Sequence, residues 1–261
     1  MSPGPVATAV ANPWFSWTYL ERNGQDVLRH LEQHAALTAQ AVLLALAVAL
    51  PLAALAHVRP RLAGVVLAGT GVLYTVPSLA LFAVLAPYTG IGRRTVLIGL
   101  VVYALLVLVR NVLVGLQGVD PAVRDAARGM GYGRVRMLLA VELPQAVPAV
   151  VTGLRLATVS TVALVTVGVV VGYGGLGQLM FRGFRSNYRA EVVTATVLCL
   201  LLALVADLLL ATLGRLLTPW HRSSRRGRGA SPDASGPTAP GPAAAAAPAR
   251  RVPGEEAAWT S

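Results

Sequence analysis

Residues 120–144 read DPAVRDAARGMGYGRVRMLLAVELP, and they lie in the longest polar interruption between the apolar runs of this chain. Asp120 followed by Pro121 is a helix-start signal, because the aspartate can accept a hydrogen bond from the first turn and proline needs no donor there. The residues that follow favour a short helix through Arg128. This helix is predicted to stop at three closely spaced glycines, which tolerate the left-handed backbone of a sharp turn: Gly129, Gly131 and Gly133.

A second short helix is predicted over residues 134–143, and Pro144 can open the next apolar run at its first turn. The sequence therefore predicts two short helices joined by a glycine hinge. Glu142 is expected to cap the start of the apolar helix, where the helix dipole favours a carboxylate, or else to contact a partner. Ala126 and Ala127 are expected to form a small, smooth helix face that another protein can approach closely; an ordinary amphipathic connector is the alternative.

Apolar runs flank this loop on both sides and dominate the composition. Of the 261 residues, 55% are hydrophobic and 13% are charged, and the mean hydropathy is +0.64. This composition is too apolar for an ordinary soluble domain. Five runs are long enough to cross a bilayer: 35–56, 62–86, 95–116, 143–172 and 192–217. Pro77 breaks the second run, so a sixth span is left open. The predicted fold class is an all-α polytopic membrane protein with about five to six spans.

The placement of arginine predicts how the spans are oriented. The chain has no lysine, so all 22 of its Lys and Arg residues are arginine, and the net charge is +11. With five spans, the arginines within 59–61, 124–136 and 215–228 fall on one side, which the positive-inside rule assigns to the cytoplasm. The N-terminus would then lie outside and the C-terminus inside, although Arg93 and Arg182 belong to a smaller group on the other face. We attribute the basic charge to topology and expect no nucleic-acid partner.

Composition divides the chain into three regions. Residues 1–34 form a polar and amphipathic lead-in, and residues 35–218 form the transmembrane domain, which includes the loop 117–144. Residues 219–261 begin with a basic segment and continue as a tail rich in Pro and Ala, which is predicted to be disordered. No signal peptide is expected, because the first long apolar run starts only near Ala35.

Several kinds of site are excluded by residue content. A P-loop needs a lysine on the phosphates, so a chain without lysine has no standard Walker A site, and any ATP chemistry belongs to a partner. Cys199 is the single cysteine and the four histidines are scattered, so neither a disulfide framework nor a metal site is predicted. No cofactor and no enzymatic activity are expected. The GxGxxG pattern of Gly172, Gly174 and Gly177 follows a predicted span, which favours a packing turn over a dinucleotide site.

Two residues of opposite charge lie deep inside predicted spans. Arg155 is about eleven residues into the fourth span and Asp207 about ten residues from the inner end of the fifth, so both are about 15 Å deep. An unpaired charge in hydrocarbon costs at least about 2.5 kcal/mol. A buried interhelical pair is our hypothesis; Arg155 facing an aqueous pathway, or separate bonds to carbonyl groups, are the alternatives.

The loop residues resemble a motif of a known family. Asp125, Ala126, Ala127, Gly131, Val141, Leu143 and Pro144 match, at the right spacing, the "EAA" motif of ABC importer permeases. Asp125 replaces the usual Glu and Val141 the usual Ile, which keeps charge and shape. The resemblance implies a type I ABC importer transmembrane domain, in which this loop forms a coupling helix that docks into a cleft of the ATP-binding subunit.

Further strings are similar to one branch of that family, the permeases for glycine betaine, carnitine and choline. They are YTVPSLAL (74–81), VRN (109–111), VDPAV (119–123), ARGMG (127–131), VELP (141–144) and GGLG (174–177). The resemblance implies an osmoprotectant permease that works by alternating access in the bacterial plasma membrane. It also implies four kinds of partner: ATP-binding subunits, a second permease copy or paralogue, an extracytoplasmic solute-binding protein and the lipid bilayer.

Other transport functions are left open by the sequence. A permease of the same family for another small solute, such as an amino acid, a sulfonate or a thiamine-like compound, shares several of these strings. An ion-coupled secondary transporter is a different class, and the rarity of intramembrane carboxylates argues against it.

Overall fold

The computed structural model describes residues 12–218, which form helices and connecting turns without a β-strand. The elements follow in this order: α1 (Trp17–Val58), α2 (Pro60–Thr75), α3 (Ser78–Thr89), α4 (Arg93–Gln117), α5 (Pro121–Gly129), α6 (Arg134–Met137), a π-turn (Leu138–Glu142), α7 (Leu143–Val167), a 3₁₀ turn (Gly168–Val171), α8 (Leu176–Arg185) and α9 (Arg189–Leu217). The predicted tail, 219–261, lies outside the described residues.

Within the described residues, four helical stretches are long and apolar enough to span a membrane: Trp17–Val58, Arg93–Gln117, Arg134–Val171 and Arg189–Leu217. Helices α2 and α3 meet at an angle of 96° and together form a fifth candidate span. The break falls at Pro77, where the sequence predicted it. With 16 and 12 residues, α2 and α3 reach only about 24 and 18 Å, less than the bilayer core of about 30 Å. With the bent pair counted as one span, the described residues hold five spans, and the optional sixth is not formed.

Close packing of α1, α4 and α7 forms the centre of the protein. Ala45, Ala49 and Ala53 recur every four residues on α1 and are fully buried against apolar residues of α4 and α7, among them Leu108 and Ala157. Small side chains let helix backbones approach closely, and this packing holds helices together in lipid. Helix α9 lies at the edge, since only 11% of its most apolar window is buried within the chain.

Helix α1 begins earlier than the sequence predicts. It starts at Trp17, where the Ser16 hydroxyl caps it by accepting from the Tyr19 N–H at 3.2 Å, and it crosses the predicted boundary at residue 34 without a break. Its 42 residues extend about 63 Å, roughly twice the bilayer core. The first half of the helix therefore projects beyond the apolar run 35–56.

The predicted second short helix is not a separate element. Residues Arg134–Val171 form one continuous helical stretch, in which α6 passes through the π-turn into α7. Pro144 lacks an N–H and its ring crowds the carbonyl four residues earlier. The π-turn before it, closed by the Leu143 N–H donating to the Leu138 carbonyl, accommodates the proline without breaking the helix.

Candidate functional site at the two ends of the bundle

The bundle has two ends, which we name by their residues. The loop end carries the connection 117–144 together with the last turn of α1. The opposite end carries the α3–α4 turn at 90–92 and the segment 172–188. The loop motif lies at the loop end, and the GxGxxG pattern lies at the opposite end.

Helix α5 is closed at both termini by its own residues. The Asp120 carboxylate accepts from the Ala122 N–H at 2.8 Å, and Pro121 occupies the first turn, as predicted. At the other terminus the Gly131 N–H donates to the Arg128 carbonyl at 2.9 Å and the Tyr132 N–H to the Ala127 carbonyl at 3.1 Å. This is a Schellman cap, and Gly131 adopts the left-handed φ of 81° that it requires.

The two motif alanines point in opposite directions. Ala126 is exposed, whereas Ala127 is only 2% exposed and packs inward. The expected smooth face made by both alanines is therefore wrong, because neighbouring helix positions are about 100° apart. The exposed side of α5 instead carries Ala126 with Val123, and Met130 lies exposed just beyond the helix. Asp125 is also exposed and forms a 2.9 Å ion pair with Arg128 at the edge of this face.

The rest of the motif lies on the helix that returns to the bundle. Val141 belongs to the π-turn and is half-buried, and Leu143 packs against the central core of α1, α4 and α7. Pro144 is exposed at the first turn of α7. The motif thus begins on the exposed helix α5 and ends at the start of α7, where Leu143 is anchored in the core.

Glu142 is buried at the loop end and does not cap a helix. It lies inside the continuous stretch 134–171, and its side chain makes no cap hydrogen bond at the start of α7, so the capping expectation is wrong. Its carboxylate accepts from His57 Nε2–H at 3.0 Å and lies 3.6 Å from Arg124 Nε. Only 8% of the Glu142 side chain is exposed. We name this group, Glu142 with His57 and Arg124, the Glu142 cluster.

Arg124 connects the Glu142 cluster to the end of α4. Its Nη2 donates to the carbonyl of Gln117 at 3.0 Å and to that of Val119 at 2.7 Å. A cavity of about 270 Å³ opens beside the cluster and is lined by His57, Arg124 and Glu142 together with Arg128, Tyr132 and Arg134. Sequence reasoning missed the cluster because its members are far apart along the chain; His57 and Glu142 are separated by 85 residues.

Arg155 and Asp207 are brought together between α7 and α9. Arg155 Nε donates to Asp207 Oδ1 and Nη2 donates to Oδ2, each at 2.8 Å, in a bidentate arrangement. The side chains are 40% and 28% exposed in the single chain. The pair is therefore less enclosed by its own chain than the hypothesis of a buried pair assumed.

At the opposite end, glycines allow a tight turn and close contact between backbones. Gly172 and Gly175 have φ of 77° and 53°, and they frame a tight turn before α8. A Cβ on Gly177 would lie 2.4 Å from the backbone oxygen of Thr166. The GxGxxG pattern thus forms a turn between helices, as the sequence analysis favoured, in a protein without a βαβ unit among its described residues.

A buried histidine fastens this turn to two spans. His34 is fully buried; its Nδ1 accepts from the Leu176 N–H at 3.3 Å and its Nε2–H donates to the Val162 carbonyl at 2.9 Å. The two bonds require the neutral tautomer with the proton on Nε2. The residue links α1, α7 and α8, and no local pattern around His34 predicts this link.

A second arginine cluster lies at the opposite end. Arg182 donates from Nη2 to Asp26 at 2.7 Å and from Nε to Glu191 at 2.6 Å, joining α8 to α1 and α9. These bonds, that with Asp26 first, hold the pKa of Arg182 above its usual value. Only 6% of the Glu191 side chain is exposed. We name Arg182, Asp26 and Glu191 the Arg182 cluster.

The fold and its two ends define a helical membrane protein with an exposed, self-capped helix between its third and fourth spans. Over residues 41–223 the chain matches the family described as "Binding-protein-dependent transport system inner membrane component". The match covers more than half of the chain, and the chain belongs to this family of permease subunits.

Several relatives are 30–37% identical to this chain over the matched residues. The carnitine transport permease protein OpuCB of Listeria monocytogenes is 36% identical over 203 residues, which cover 77% of this chain and 93% of that protein. The glycine betaine/carnitine/choline permease OpuCD of Bacillus subtilis (strain 168) is 36% identical, with 77% and 89% covered. The osmoprotectant import permease OsmW of Salmonella typhimurium is 37% identical over 193 residues, covering 72% of this chain and 89% of its own.

Solved structures confirm the predicted fold class. An inward-facing structure of the MetNI methionine ABC transporter contains a chain that superposes with a TM-score of 0.71 at 24% identity, covering 76% of this chain and 99% of that one. An amino acid ABC transporter crystallised with histidines gives a TM-score of 0.65 at 18% identity, with 77% and 98% covered. The likeness at this level of identity concerns the fold alone.

Proposed function

We propose that this chain is the membrane subunit of an ATP-driven importer for osmoprotectants such as glycine betaine, carnitine or choline. The observation that carries the proposal is its 36–37% identity to permeases named for carnitine, for glycine betaine, carnitine and choline, and for osmoprotectants, over about three quarters of the chain. ATP binding and hydrolysis occur on partner subunits, since this chain has no lysine for a Walker A site. A solute-binding protein delivers the substrate from outside.

Uptake measurements test the substrate class. The permease is reconstituted in liposomes with its ATPase and its binding protein, and ATP-dependent uptake of labelled glycine betaine, carnitine and choline is measured. Methionine and histidine serve as comparison solutes. Uptake of at least one quaternary ammonium compound, with little uptake of the amino acids, is expected. Uptake of an amino acid alone would contradict the osmoprotectant proposal. The chain would then be a permease of the same family for another solute.

Helix α5 is proposed to be the coupling helix that docks on the ATPase. Two features support this role: its exposed face, with Ala126 at the centre and the Asp125–Arg128 pair at its edge, and its caps at Asp120 and Gly131, which help to keep the short helix ordered. An ion-coupled transporter would need no ATPase. Loss of the ATPase on mild detergent extraction of the wild-type complex would therefore contradict the proposed class.

The docking role requires the loop end to face the cytoplasm, which places the C-terminus there as well. Replacing Cys199 by serine gives a background without cysteine, since Cys199 is the only one in the chain. Met130→Cys at the loop end and Ile91→Cys at the opposite end are both highly exposed positions, at 68% and 84%. A membrane-impermeant maleimide is expected to label Ile91→Cys in intact cells and Met130→Cys only in inverted vesicles. The reverse labelling would overturn the orientation.

Arg155 and Asp207 are proposed to tie α7 to α9, with the exposed edge of the pair turned away from lipid toward the pathway or the second permease subunit. The bidentate 2.8 Å geometry supports the tie. Leaving either charge unpaired in the membrane costs at least about 2.5 kcal/mol. Arg155→Ala and Asp207→Ala are each expected to abolish transport, and the exchanged pair R155D/D207R to restore part of it. An exchanged pair that restores nothing would argue against the tie.

A further inference from the structure

The Glu142 cluster is the polar link between α5 and α1. Helix α5 is joined by the chain to α4 on one side and to α6 on the other, and it makes few close contacts with the other helices. Arg124 belongs to α5, Glu142 to the end of the π-turn, and His57 to the last turn of α1. The carboxylate of Glu142 faces both His57 and Arg124. A displacement of α5 therefore acts on α1 through this carboxylate.

The burial of Glu142 makes the link costly to break. Only 8% of its side chain is exposed, and the two groups that face its oxygens come from two other segments of the chain. A buried carboxylate that loses its partners is strongly destabilised, so the three groups are expected to move together. Arg124 is also held at the end of α4 through the carbonyls of Gln117 and Val119. The cluster thus joins α1, α4, α5 and the stem of α7 at one point.

Helix α1 is well placed to pass on such a displacement. Its alanine face packs along α4 and α7 through the central core, and its first half contacts α8 and α9 at the opposite end. His34, on α1, is fixed there to the Leu176 N–H of α8 and to the carbonyl of Val162 on α7. A tilt of α1 at the loop end therefore reaches residues on the far side of the bundle.

We propose that Glu142 is a positioning residue for transport, which couples movement of the ATPase-docking helix α5 to α1. The inference rests on the proposed function, because it assumes that an ATPase moves α5. It adds a second route for that movement besides the covalent route along the stretch 134–171. It assigns to Glu142 and His57 a role in the coupling of ATP hydrolysis to transport, beyond holding the loop in place.

The test measures solute transported per ATP hydrolysed in the full complex, with its ATPase and binding protein, in liposomes. Glu142→Gln keeps the size of the side chain and removes its charge. We expect transport per ATP to fall about fivefold, a magnitude typical of substitutions within a coupling network, while the amount of bound ATPase and its hydrolysis rate stay within about twofold of the wild type. A wild-type ratio in Glu142→Gln would overturn the proposal.

Substitutions of His57 separate a coupling role from general destabilisation. His57→Gln can present a neutral N–H at the position of Nε2 and is expected to keep most of the wild-type ratio. His57→Leu has similar bulk without a donor and is expected to lower the ratio as Glu142→Gln does. Equal ratios in His57→Gln and His57→Leu would show that the hydrogen bond carries no coupling, and would contradict the proposal.

Glu191→Gln is the matched control. It removes the charge of an equally buried carboxylate that is also held by an arginine, but at the opposite end. Its ratio of transport to ATP hydrolysis is expected to equal that of the wild type. A similar fall in both variants would mean that buried charge matters only for stability, which would overturn the inference. If the wild-type complex retains no ATPase, the proposed function itself fails, and this outcome is distinct from a wild-type ratio in Glu142→Gln.

Discussion

The two ends of this permease share a buried carboxylate that faces an arginine, but they differ in how their backbones are held. Each end buries one carboxylate against an arginine: Glu142 with Arg124 at the loop end, and Glu191 with Arg182 at the opposite end. At the opposite end the backbones are also locked by glycine contacts and by His34. At the loop end, α5 is capped by its own residues and is attached to α1 by side chains. The comparison indicates an opposite end held by backbone packing and a loop end whose helix α5 is held by its own caps and by side chains.

Gly177→Ala is expected to have the largest effect on stability. The added Cβ would lie 2.4 Å from the Thr166 oxygen and 2.6 Å from its Cα, and backbone atoms cannot move aside as a side chain can. We expect a loss of about 3 kcal/mol in the free energy of unfolding, measured by equilibrium denaturation in mixed micelles. Gly24→Ala, with no atom within 4 Å, is the control and should be neutral or slightly stabilising. A much smaller loss of stability in Gly177→Ala would contradict tight backbone packing at the opposite end.

Ala127→Leu tests how firmly α5 rests on the bundle. Ala127 is 2% exposed, so the larger side chain is expected to overpack the contact and lower the free energy of unfolding by about 2 kcal/mol. Ala126→Leu makes the same change on the exposed side of the same helix and should leave stability within about 0.5 kcal/mol. If the two variants denature alike, the assignment of inner and outer faces of α5 is incorrect.

Gly131→Ala makes the same substitution as Gly177→Ala, but at the loop end, where the added Cβ meets no neighbouring atom. Nothing lies within 4 Å of its Cβ position, and only the φ of 81° is unfavourable for alanine. The expected loss is about 1 kcal/mol in the same denaturation assay. Gly129→Ala, two residues earlier and also without a near neighbour, lacks the positive φ and should not destabilise. A loss as large as that of Gly177→Ala would mean that the loop end is as tightly packed as the opposite end.

Asp125→Asn is expected to have the smallest effect. The Asp125–Arg128 pair spans three residues of one helix, and both side chains are about two-thirds exposed. Such pairs contribute less than about 0.5 kcal/mol. Glu191→Gln, which disrupts a buried carboxylate, should destabilise more in the same micelles. The opposite ranking would show that the exposed pair has a structural role in the free subunit.

Local signals in the sequence predicted much of this structure, and long-range contacts account for what they missed. The five spans follow from apolar runs, and both caps of α5 follow from Asp120, Pro121 and Gly131, because each of these effects involves only neighbouring residues. Pro144 was ambiguous, since proline is compatible with a helix start and also with a helix that absorbs it through a π-turn. The stretch 134–171 is therefore continuous where two helices were expected.

The orientation of side chains toward the bundle could not be predicted from the loop alone. Which of Ala126 and Ala127 faces inward depends on the rotation of α5 relative to helices that are remote in sequence. The partners of Glu142 and His34 are likewise distant, and neither residue has a local pattern that would identify them. By contrast, Arg155 and Asp207 could be paired from their similar depth, because charges in a membrane have few alternatives.

The proposed docking of an ATPase on the exposed face of α5 is tested most directly by Ala126→Arg. An arginine there would be buried and unpaired in the interface, so we expect the ATPase retained after mild detergent extraction to fall at least about tenfold, with unchanged stability of the subunit. Ser186→Arg adds the same side chain at an exposed position of the opposite end and should retain the ATPase fully. Full retention in Ala126→Arg would contradict the assignment of α5 as the docking helix.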